Sequence, residues 1–337
     1  MTSPKPRIAI IGAGLSGLTC ARELTELGHH VAVLDKGRGP GGRASTRRVE
    51  FDGTPAGFDH GAQYFTVRDA LMRERLDRWI ESGVVSKWDG RIAALDAHGD
   101  VESYSQKPRF VGNPGMSALA QHFARGIDVH CGVQVARIER SAGGSRLIDR
   151  EGNELGTFTT VIVTAPPVQT VNLLAEVAPA IANRASAVEM KPCWALMGAF
   201  DAPVDVPYDG AFINHGPLSW VARTSSKPGR RPSPDRWVFH ASPSWSEANI
   251  ELDRDEAATK LHAFAAESMN VALADPIYLQ AHRWRYAIAE NPLDEGALYD
   301  PEVSIGACGD WTSGNRVEGA MLSGVRIAQL IADAIDR

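Results

Sequence analysis

The sequence predicts a mixed α/β fold, with one part built on a parallel sheet and a second part built on an antiparallel sheet with helices. Three observations support this prediction. The chain has 337 residues, 44% of them hydrophobic, which is enough to form more than one core. A strand, a glycine turn, a helix and a second strand follow one another at the N-terminus. Apolar residues alternate in four later segments, around 194–200, 211–221, 236–241 and 279–287.

The N-terminal pattern predicts a Rossmann-like βαβ unit. Arg7–Ile11 is a short apolar run, typical of a buried parallel strand. Leu15–Leu27 has apolar residues at helical spacing, and Gly28 is placed to end that helix. Val31–Leu34 is a second apolar strand, after which comes an acidic residue. These elements make one unit of the kind that binds dinucleotides.

The glycines of the turn and the acid after the second strand predict a dinucleotide site. Gly12 permits a tight turn, Gly14 lets a pyrophosphate approach the backbone, and Gly17 lets the helix pack close to the strand. The phosphates would meet the free N–H groups of the helix N-terminus. Asp35 would accept hydrogen bonds from ribose hydroxyls, and its charge disfavours a 2′-phosphate. A glycine turn without a ligand is the alternative, and the strand, helix and acid around the turn argue against it.

Two segments after this unit extend the predicted site. Residues 37–46 read GRGPGGRAST, where a second glycine pair would let the chain follow a long cofactor. Arg43 in this segment would pair with the cofactor phosphates. Residues 58–66 read FDHGAQYFT, and they predict a turn that carries polar Gln63 and aromatic Tyr64 along a flat ring.

The C-terminal segment adds a third part of the predicted site. Val303–Ala307 is expected to be a short strand, and a helix is expected to begin near Val317–Gly319. Asp310 between them would hold a cofactor hydroxyl or order the pyrophosphate. The helix start at Glu318–Met321 offers backbone N–H groups and a positive dipole end, which would stabilise negative charge on a reduced cofactor ring.

Composition argues against several classes of partner. The net charge of -6 and the pI of about 5.9 disfavour broad binding to nucleic acid or to a membrane surface. The four cysteines are widely spaced without a CxxC pair, which suits a reducing compartment. The sequence shows no signal-peptide core, no apolar run near the ~20 residues of a membrane helix, and no metal-ligand cluster. We therefore expect a cytoplasmic protein, a monomer or weak homodimer, without a metal site.

Together, these segments resemble the flavin-containing amine oxidase superfamily, whose members bind FAD. The resemblance covers Ile8–Thr66 and Val303–Ile335. Between them, VQVARIER (133–140) is similar to the segment that clamps adenine, with Val135 as its backbone contact. VIVTAPP (161–167) is similar to the strand and turn that pass beside the cofactor.

This resemblance implies an FAD-binding domain of the glutathione-reductase/p-hydroxybenzoate-hydroxylase type, joined to a substrate domain. The GDWTSG segment has no cysteine where some relatives attach the flavin, so we expect FAD to be bound non-covalently. The cofactor-binding residues expected from the motifs and the resemblance are Gly12, Ala13, Gly14, Leu15, Ser16, Gly17, Asp35, Lys36, Gly42, Arg43, Gln63, Tyr64, Phe65, Val135, Thr164, Asp310, Glu318, Gly319, Ala320 and Met321.

The middle of the chain closely resembles the renalase group in its bacterial form. The segments that carry this likeness are SWVARTSSKPGRR (219–231), WVFHASPSWS (237–246) and AHRWRYA (281–287). The resemblance implies an oxidase that converts 2- and/or 6-dihydro isomers of NAD(P)H to NAD(P)+. Dioxygen would be reduced to hydrogen peroxide, and the biological role would be metabolite repair. The partners implied are therefore a small-molecule dinucleotide substrate and O2.

His240, Trp284 and Tyr64 are the residues expected to act on the substrate. A dihydropyridine needs little acid–base help to lose hydride, but it needs a fixed stack against the cofactor. On the residues alone, His240 is more often a satisfied core histidine, and the resemblance favours a bond from it to the substrate carboxamide. Strand alternation puts Trp284 on one face with His282 and Tyr286, where it packs in a core or lines a pocket.

A basic loop leaves two interpretations open. Lys227, Arg230 and Arg231 lie in the Ser/Pro/Gly-rich stretch TSSKPGRRPSPDR. They would either attract the phosphates of a dinucleotide substrate or belong to a solvated flexible loop. Arg283 and Arg285, on the opposite strand face from Trp284, are expected to make ion pairs.

The motif order predicts two discontinuous or interleaved domains. The FAD-binding domain is expected at 1–66, 107–166 and 295–337, and the substrate domain at 67–106 and 167–294. Residues 71–83 within the substrate domain predict an amphipathic helix.

Three other functions remain as alternatives. The first is an FAD-dependent amine oxidase, for which Lys191 is the nearest candidate for a lysine close to the flavin, although its context is that of a bystander. The second is a desaturase or sugar mutase, and this chain is short for the apolar tunnel of a desaturase. The third is an FAD-binding protein without catalytic activity.

Overall fold

A computed structural model of the protein describes residues 7–335, which form two compact units. The first unit holds the chain up to Ala44, Leu119–Met190 and the chain from Ala289 onward. The second unit holds Ser45–Ala118 and Lys191–Ile288. Within the described residues the α-helices are α1 (Leu15–Glu26), α2 (Ala70–Glu81), α3 (Ser117–Ala124), α4 (Pro167–Leu174), α5 (Pro179–Ser186), α6 (Pro243–Ala248), α7 (Arg254–Ser268) and α8 (Val317–Ile335).

The described strands are numbered in chain order. They are β1 (Arg7–Ile11), β2 (His30–Asp35), β3 (Arg47–Phe51), β4 (Thr54–Phe58), β5 (Val85–Lys87), β6 (Ile92–Leu95), β7 (Val101–Tyr104), β8 (Phe110–Gly112), β9 (Asp128–Cys131), β10 (Val135–Ser141), β11 (Gly144–Asp149), β12 (Glu154–Phe158), β13 (Thr160–Val163), β14 (Met190–Phe200), β15 (Gly210–Ile213), β16 (Leu218–Arg223), β17 (Asp235–Ala241), β18 (Tyr278–Ala289), β19 (Leu298–Asp300) and β20 (Ile305–Ala307).

The first unit is built on a six-stranded sheet in the order β19-β20-β13-β1-β2-β9. Its pairs are parallel except for β19 against β20. The central strand β1 is apolar after its first residue and is buried there, as a strand covered on both faces requires. The helix α1 follows β1 through the glycine turn, which confirms the predicted βαβ unit. A three-stranded antiparallel sheet, β10-β11-β12, completes this unit.

The second unit is built on a seven-stranded sheet in the order β18-β14-β17-β16-β15-β6-β7. Most of its pairs are antiparallel, and β15 with β6 is parallel. Its core includes Trp194, Trp237 and Phe239, all with no exposed surface. The mixed α/β class is confirmed, with the antiparallel sheet where the alternating segments predicted it.

Two element predictions need correction. The apolar segment 211–221 is two strands, β15 and β16, because the chain turns at Gly216, whose φ is +73°. The strand predicted at Val303–Ala307 begins only at Ile305, because the preceding residues form a turn that ends with Ser304 at φ +53°.

The helix expected at 71–83 is α2, which starts one residue earlier, at Ala70. The Asp69 side chain caps it by accepting from the N–H groups of Leu71 and Met72.

Four segments, 45–66, 107–118, 167–190 and 289–294, lie in a different compact unit from the domain to which the sequence assigned them. Residues 45–66 belong to the second unit, where Phe58 at the end of β4 packs against Met197 and Val238. Residues 107–118 belong there as well, since β8 pairs with β5. Residues 167–190 belong to the first unit, because α4 and α5 pack into its core. Long-range packing, which motif order does not reveal, determines these boundaries.

Among residues 7–335, no helix has both the length and the apolar character needed to cross a membrane. The same residues contain no group of three or more His, Cys, Asp or Glu side chains arranged to hold a metal ion.

Candidate functional site

The glycine turn after β1 has the backbone geometry that the sequence predicted. Gly12 has φ +119°, a conformation that residues with a side chain rarely adopt. A Cβ added at Gly17 would collide with the carbonyl oxygen of Gly12, so α1 packs directly against the turn. A Cβ at Gly14 would meet nothing within 4 Å. The space beside Gly14 is therefore open for a ligand to approach the backbone.

The N-terminus of α1 presents free donors to this space. Gly14 is the N-cap residue, and it supplies no side-chain acceptor to the first N–H groups of the helix. No acidic residue lies in the first turn of α1. Uncapped N–H groups at a helix N-terminus bind phosphate well. The turn therefore fits the pyrophosphate of a dinucleotide.

Asp35 at the end of β2 is fixed by two backbone donors. Its Oδ2 accepts from the Ala13 N–H at 2.6 Å, and its Oδ1 accepts from the Gly37 N–H at 2.5 Å. The Asp35 carbonyl accepts from the N–H of Val133. Each carboxylate oxygen keeps a further acceptor site, which is what binding a ribose hydroxyl requires.

The second glycine segment pairs with the first. Gly41 donates its N–H to the Ala13 carbonyl at 2.8 Å, and Gly14 and Gly41 form a parallel β-bridge. Gly42 has φ +53°, and a Cβ there would lie 3.4 Å from the Gly14 Cα. Arg43 follows, and its guanidinium makes a two-pronged contact with Asp310 at 2.9 and 2.6 Å. The structure thus brings two predicted cofactor residues, Arg43 and Asp310, into one ion pair.

Three predicted cofactor residues direct their side chains to protein groups. The Ser16 hydroxyl is buried, 3.1 Å from the Cys308 Sγ and 2.8 Å from the Ser323 Oγ. The Thr164 hydroxyl donates to the carbonyls of Ile11 and Gly12 at 3.1 Å. The Lys36 Nζ donates to the Gln169 Oε1 at 3.1 Å. In this structure Ser16 and Thr164 serve the packing and shape of the turn, so only their backbone groups remain for a cofactor.

Other predicted cofactor positions of the first unit lie in β10, α8 and α1. Val135 is buried at the start of β10, and α8 begins at Val317, so Glu318–Met321 form its first turn. A Cβ on Gly319 would collide with the Ser313 carbonyl, which explains the glycine there. Leu15 is buried in the first turn of α1.

The second unit brings two of the three predicted substrate residues, His240 and Trp284 but not Tyr64, to one main-chain carbonyl, that of His60. The Trp284 indole N–H donates to this oxygen at 2.8 Å. The Nε2 of His240 lies 3.3 Å from the same oxygen and donates to it in the Nε2–H tautomer. The ring of His282 lies 4.4 Å from that of Trp284 and 4.8 Å from that of His60. His60, His240, His282 and Trp284 are called the imidazole–indole cluster below.

The imidazoles of this cluster are uncharged at neutral pH. Burial, together with the nearby His282 and Arg47, lowers the pKa of His60 to about 3. Burial lowers the pKa of His240 to about 4, against the opposing effect of its bond to His60. Burial and Arg47 lower the pKa of His282 to about 4. The cluster therefore offers neutral hydrogen-bonding groups and aromatic faces without net charge.

A buried ion cluster lies in the same unit and includes the loop residues that were expected to meet solvent or phosphate. Lys227 is 2% exposed, and its Nζ lies 3.2 Å from the Asp59 Oδ2. Arg230 places its Nη2 2.5 Å from the same oxygen. Lys227 and Arg230 are neither in a solvated loop nor free to attract phosphates, because both pair with the buried carboxylate of Asp59. Arg231 is exposed. Asp59, Lys227 and Arg230 are called the buried ion cluster below.

Both members of the lysine–aspartate pair have shifted pKa values. Burial alone would raise the pKa of Asp59, but Arg230 and Lys227 outweigh it and lower the value to about 2. Burial lowers the pKa of Lys227 to about 7; Asp59 opposes this shift and Arg230 adds to it. One carboxylate faces two cations, and the lysine is the cation that can release its proton.

The residues of the turn 58–66 differ in their surroundings. Gln63 is buried: its amide donates to the Asp59 carbonyl, and its Oε1 accepts from Lys227 at 3.1 Å. Tyr64 packs against Trp220 with ring centroids 5.4 Å apart, and the Arg109 guanidinium lies 5.0 Å from its ring centroid. Phe65 is buried and bridges to Phe110. These three predicted cofactor positions lie in the second unit.

Other predictions about basic residues have clear outcomes. Arg283 and Arg285 pair with Glu251 at 3.2 and 2.8 Å, which confirms the expected ion pairs. Lys191 lies 3.3 Å from Glu247, a largely exposed carboxylate, which agrees with the interpretation of Lys191 as a bystander.

Sequence reasoning missed two residues of the second unit, Asp59 and His60. Asp59 is fully buried and organises the ion cluster, and His60 supplies the carbonyl that His240 and Trp284 share. An acid and a histidine adjacent to each other in DHGAQYFT were the available signal for Asp59. A main-chain carbonyl has no signature in a sequence, so the role of His60 was not accessible.

Comparison with known families gives the class of the protein. Residues 69–332 match the family model described as flavin containing amine oxidoreductase, and residues 10–79 match that of the NAD(P)-binding Rossmann-like domain. The fold and the dinucleotide turn define an FAD-dependent oxidoreductase. Because the first match covers more than half of the chain, the protein belongs to the flavin-containing amine oxidoreductase family.

Individual curated relatives match over short segments. FLOWERING LOCUS D of Arabidopsis thaliana is 42% identical over 64 residues, which are 19% of this chain and 8% of that protein. The L-amino-acid oxidase BmooLAAO-I of Bothrops moojeni is 46% identical over 78 residues, which are 23% of this chain and 15% of that protein. These matches thus span a small part of the relatives' own length.

Solved structures match over nearly the whole chain. Cyclohexylamine oxidase from Brevibacterium oxydans IH-35A has a TM-score of 0.72 at 13% identity, covering 99% of this chain and 100% of that chain. Wild-type putrescine oxidase bound to putrescine has a TM-score of 0.65 at 14% identity, covering 99% of this chain and 100% of that chain. At such identities the likeness establishes the fold, and FAD is the cofactor of this family.

Proposed function

We propose that the protein is a renalase-type oxidase that converts 2- and/or 6-dihydro isomers of NAD(P)H to NAD(P)+ and reduces O2 to H2O2. The observation that carries this proposal is the imidazole–indole cluster. It joins three neutral imidazoles and one indole around the His60 carbonyl. Such a surface suits an uncharged, flat dihydropyridine with a carboxamide.

The charge change of the substrate supports this choice. A dihydropyridine is neutral and becomes a cationic pyridinium when it loses hydride. Aromatic faces attract a developing cation, by about 0.5–2 kcal/mol in known cases. A cationic imidazole would oppose it, and burial keeps these imidazoles neutral. FAD, when bound, would supply the redox chemistry as a hydride acceptor that dioxygen can reoxidise.

The residues of the second unit then have distinct tasks in this proposal. With its Nε2–H engaged on the His60 carbonyl, His240 keeps Nδ1 as an acceptor for the substrate carboxamide N–H. Trp284 is fixed by its bond to the same carbonyl and offers its ring face for stacking. Tyr64, packed against Trp220, is proposed as a further aromatic contact for the substrate. None of these groups needs to gain or lose a proton.

Attachment of FAD is proposed to be non-covalent. Cys308 is buried and lies 3.1 Å from the Ser16 hydroxyl. Burial raises the pKa of this thiol to about 12, against the effect of Ser16 and Ser323. A protonated, inaccessible thiol is a poor nucleophile.

The test of this function uses the purified holoenzyme without oxygen. Borohydride-reduced NAD, which contains the 2-, 4- and 6-dihydro isomers, is mixed with the protein while the flavin absorbance is followed. Authentic 4-dihydro NADH and common amines are mixed with it separately. We expect fast bleaching by the isomer mixture alone. Bleaching by an amine alone would refute the proposal and identify an amine oxidase, and no bleaching by any donor would favour a protein without catalytic activity.

A further inference from the structure

The buried amine of Lys227 closes the short turn between Asp59 and Gln63. Its Nζ donates to the Gln63 carbonyl at 2.8 Å, to the Gln63 Oε1 at 3.1 Å and to the Asp59 Oδ2 at 3.2 Å. An ammonium has three N–H donors, and these three acceptors use all of them. Gln63 also donates from its amide to the Asp59 carbonyl. The two ends of the turn are therefore held together through one side chain.

The turn carries the carbonyl on which the imidazole–indole cluster depends. His60 follows Asp59 directly, and its oxygen meets the Trp284 N–H at 2.8 Å and the His240 Nε2 at 3.3 Å. A shift of the turn would move this oxygen away from both partners at once. Lys227 therefore controls the alignment of His240 and Trp284 without touching either through a hydrogen bond in this structure.

Both carboxylate oxygens of Asp59 have further hydrogen-bond donors besides Lys227. Its Oδ1 accepts from the Thr46 hydroxyl at 2.8 Å and from the Met116 N–H at 3.0 Å, and its Oδ2 accepts from Arg230 at 2.5 Å. Arg230 alone would keep the carboxylate paired. Because removing charges from water is costly, a second buried cation adds little stability by itself. Lys227 adds hydrogen bonds to Gln63 at the other end of the turn, whereas Arg230 bonds the turn only at Asp59.

We propose that Lys227 is a positioning residue that holds the His60 carbonyl in register with His240 and Trp284. This proposal rests on the proposed function for its effect on catalysis, and on the geometry of the second unit alone for its effect on Trp284.

The proposal has a consequence for pH. The charged and titratable groups that face Lys227 are Asp59, Arg230 and His240, and its Nζ lies 5.3 Å from the ring centroid of Trp88. Burial, assisted by Arg230, brings the pKa of Lys227 to about 7. A neutral amine has two N–H groups and cannot serve three acceptors. The turn should therefore loosen as the pH rises through about 7, while the imidazoles, with pKa values of about 3 to 4, stay neutral.

The experiment compares the wild-type holoenzyme with Lys227→Met and with the control Lys260→Met, a lysine with a 45% exposed side chain that pairs with Glu256 at 2.9 Å. The first readout is the Trp284 indole N–H signal in protein with 15N-labelled tryptophan, assigned by its absence in Trp284→Phe. The second readout is kcat and KM for the isomer mixture. Both are recorded between pH 6 and 9.

We expect the Trp284 signal of Lys227→Met to move toward that of an indole without an acceptor. We expect kcat to fall by about 10- to 100-fold with little change in KM, the size that small misplacements of reacting groups produce. In the wild type, the signal should shift and kcat should decline as the pH passes about 7. Lys260→Met should match the wild type in both readouts.

The outcomes separate the two proposals. If the wild type does not oxidise the isomers, the proposed function fails, and the Trp284 signal alone decides the role of Lys227. If the wild type is active and Lys227→Met keeps both its kcat and its Trp284 signal, the positioning role is overturned while the function stands. If Lys227→Met does not fold, Lys227→Gln takes its place, and an unchanged Trp284 signal in that variant overturns the positioning role.

Discussion

Replacing Asp59 with asparagine tests the energetics of the buried ion cluster. The substitution keeps the size of the side chain and removes its charge. Lys227 and Arg230 would then face each other in a buried site without their shared carboxylate, from which they now lie 3.2 and 2.5 Å away. The Thr46 hydroxyl and the Met116 N–H would keep an oxygen acceptor. The change thus keeps the acceptor at Oδ1 and replaces Oδ2, the charged acceptor for Lys227 and Arg230, with an amide NH2 group.

The size of the effect follows from two independent arguments. Lowering the pKa of Asp59 from 3.8 to about 2 corresponds to about 2 kcal/mol of stabilisation of the charged form. Removing one partner from a buried pair costs about 3–5 kcal/mol in other proteins. Lys227 limits the loss, because it can release its proton and Arg230 cannot. We therefore expect Asp59→Asn to lower the free energy of unfolding by about 3 kcal/mol at pH 7.

The assay is urea unfolding of the holoenzyme followed by circular dichroism, at fixed FAD and pH. The control is Asp89→Asn, whose carboxylate is 75% exposed and pairs with Lys87 at 2.7 Å. An exposed pair of this kind contributes about 0–1 kcal/mol. Equal losses for the two variants would refute the energetic reasoning, since burial would then make no difference.

The pH dependence provides a second check on the same variant. The folded pKa of Asp59 lies below its ordinary value, so its stabilisation is present above about pH 4 and is lost as the pH falls toward 2. In Asp59→Asn this part of the acid-induced loss should disappear. A variant that loses stability with acid as steeply as the wild type would show that Asp59 does not titrate as described.

The remaining predictions concern the cofactor and the substrate. Gly14→Val should leave the free energy of unfolding unchanged and weaken FAD binding at least about tenfold, because the valine side chain enters the open space beside the turn. Gly17→Ala should lower the free energy of unfolding by about 1–3 kcal/mol, because the added Cβ collides with the Gly12 carbonyl. Urea unfolding and FAD titration check both predictions. His240→Ala should lower kcat/KM for the isomer mixture about tenfold, the worth of one good hydrogen bond, and unchanged kinetics would remove His240 from the site. Acid precipitation should release all yellow colour into the supernatant, and a yellow pellet would contradict non-covalent binding.

The sequence was a good guide where local pattern decides the structure. The first strand was predicted at Arg7–Ile11 and lies there, and α1 ends one residue before the predicted Leu27. Apolar runs and glycines act over a few residues, so they are visible in a short window. The same holds for the ion pairs of Arg283 and Arg285, which alternation placed on the opposite strand face from Trp284.

Interactions between distant parts of the chain were not accessible in this way. Lys227 lies in a segment rich in serine, proline and glycine, a composition typical of exposed loops. Its partner Asp59 is 168 residues away in sequence, and only the fold brings the two together. The hydroxyls of Ser16 and Thr164 bind protein groups, a detail that their positions in the motifs did not reveal.

The way Asp35 is held has a consequence for changing the nucleotide preference of this enzyme. The carboxylate accepts from Ala13 in the glycine turn and from Gly37 in the next segment, while its main chain accepts from Val133. A replacement chosen to admit a phosphorylated ribose would also release both N–H groups and free the turn to move. Altered specificity would therefore need at least two changes, one for the ligand and one to restore an acceptor. The hydrogen bonds of Asp35 within the protein therefore limit which residues can replace it, in addition to any limit set by the ligand.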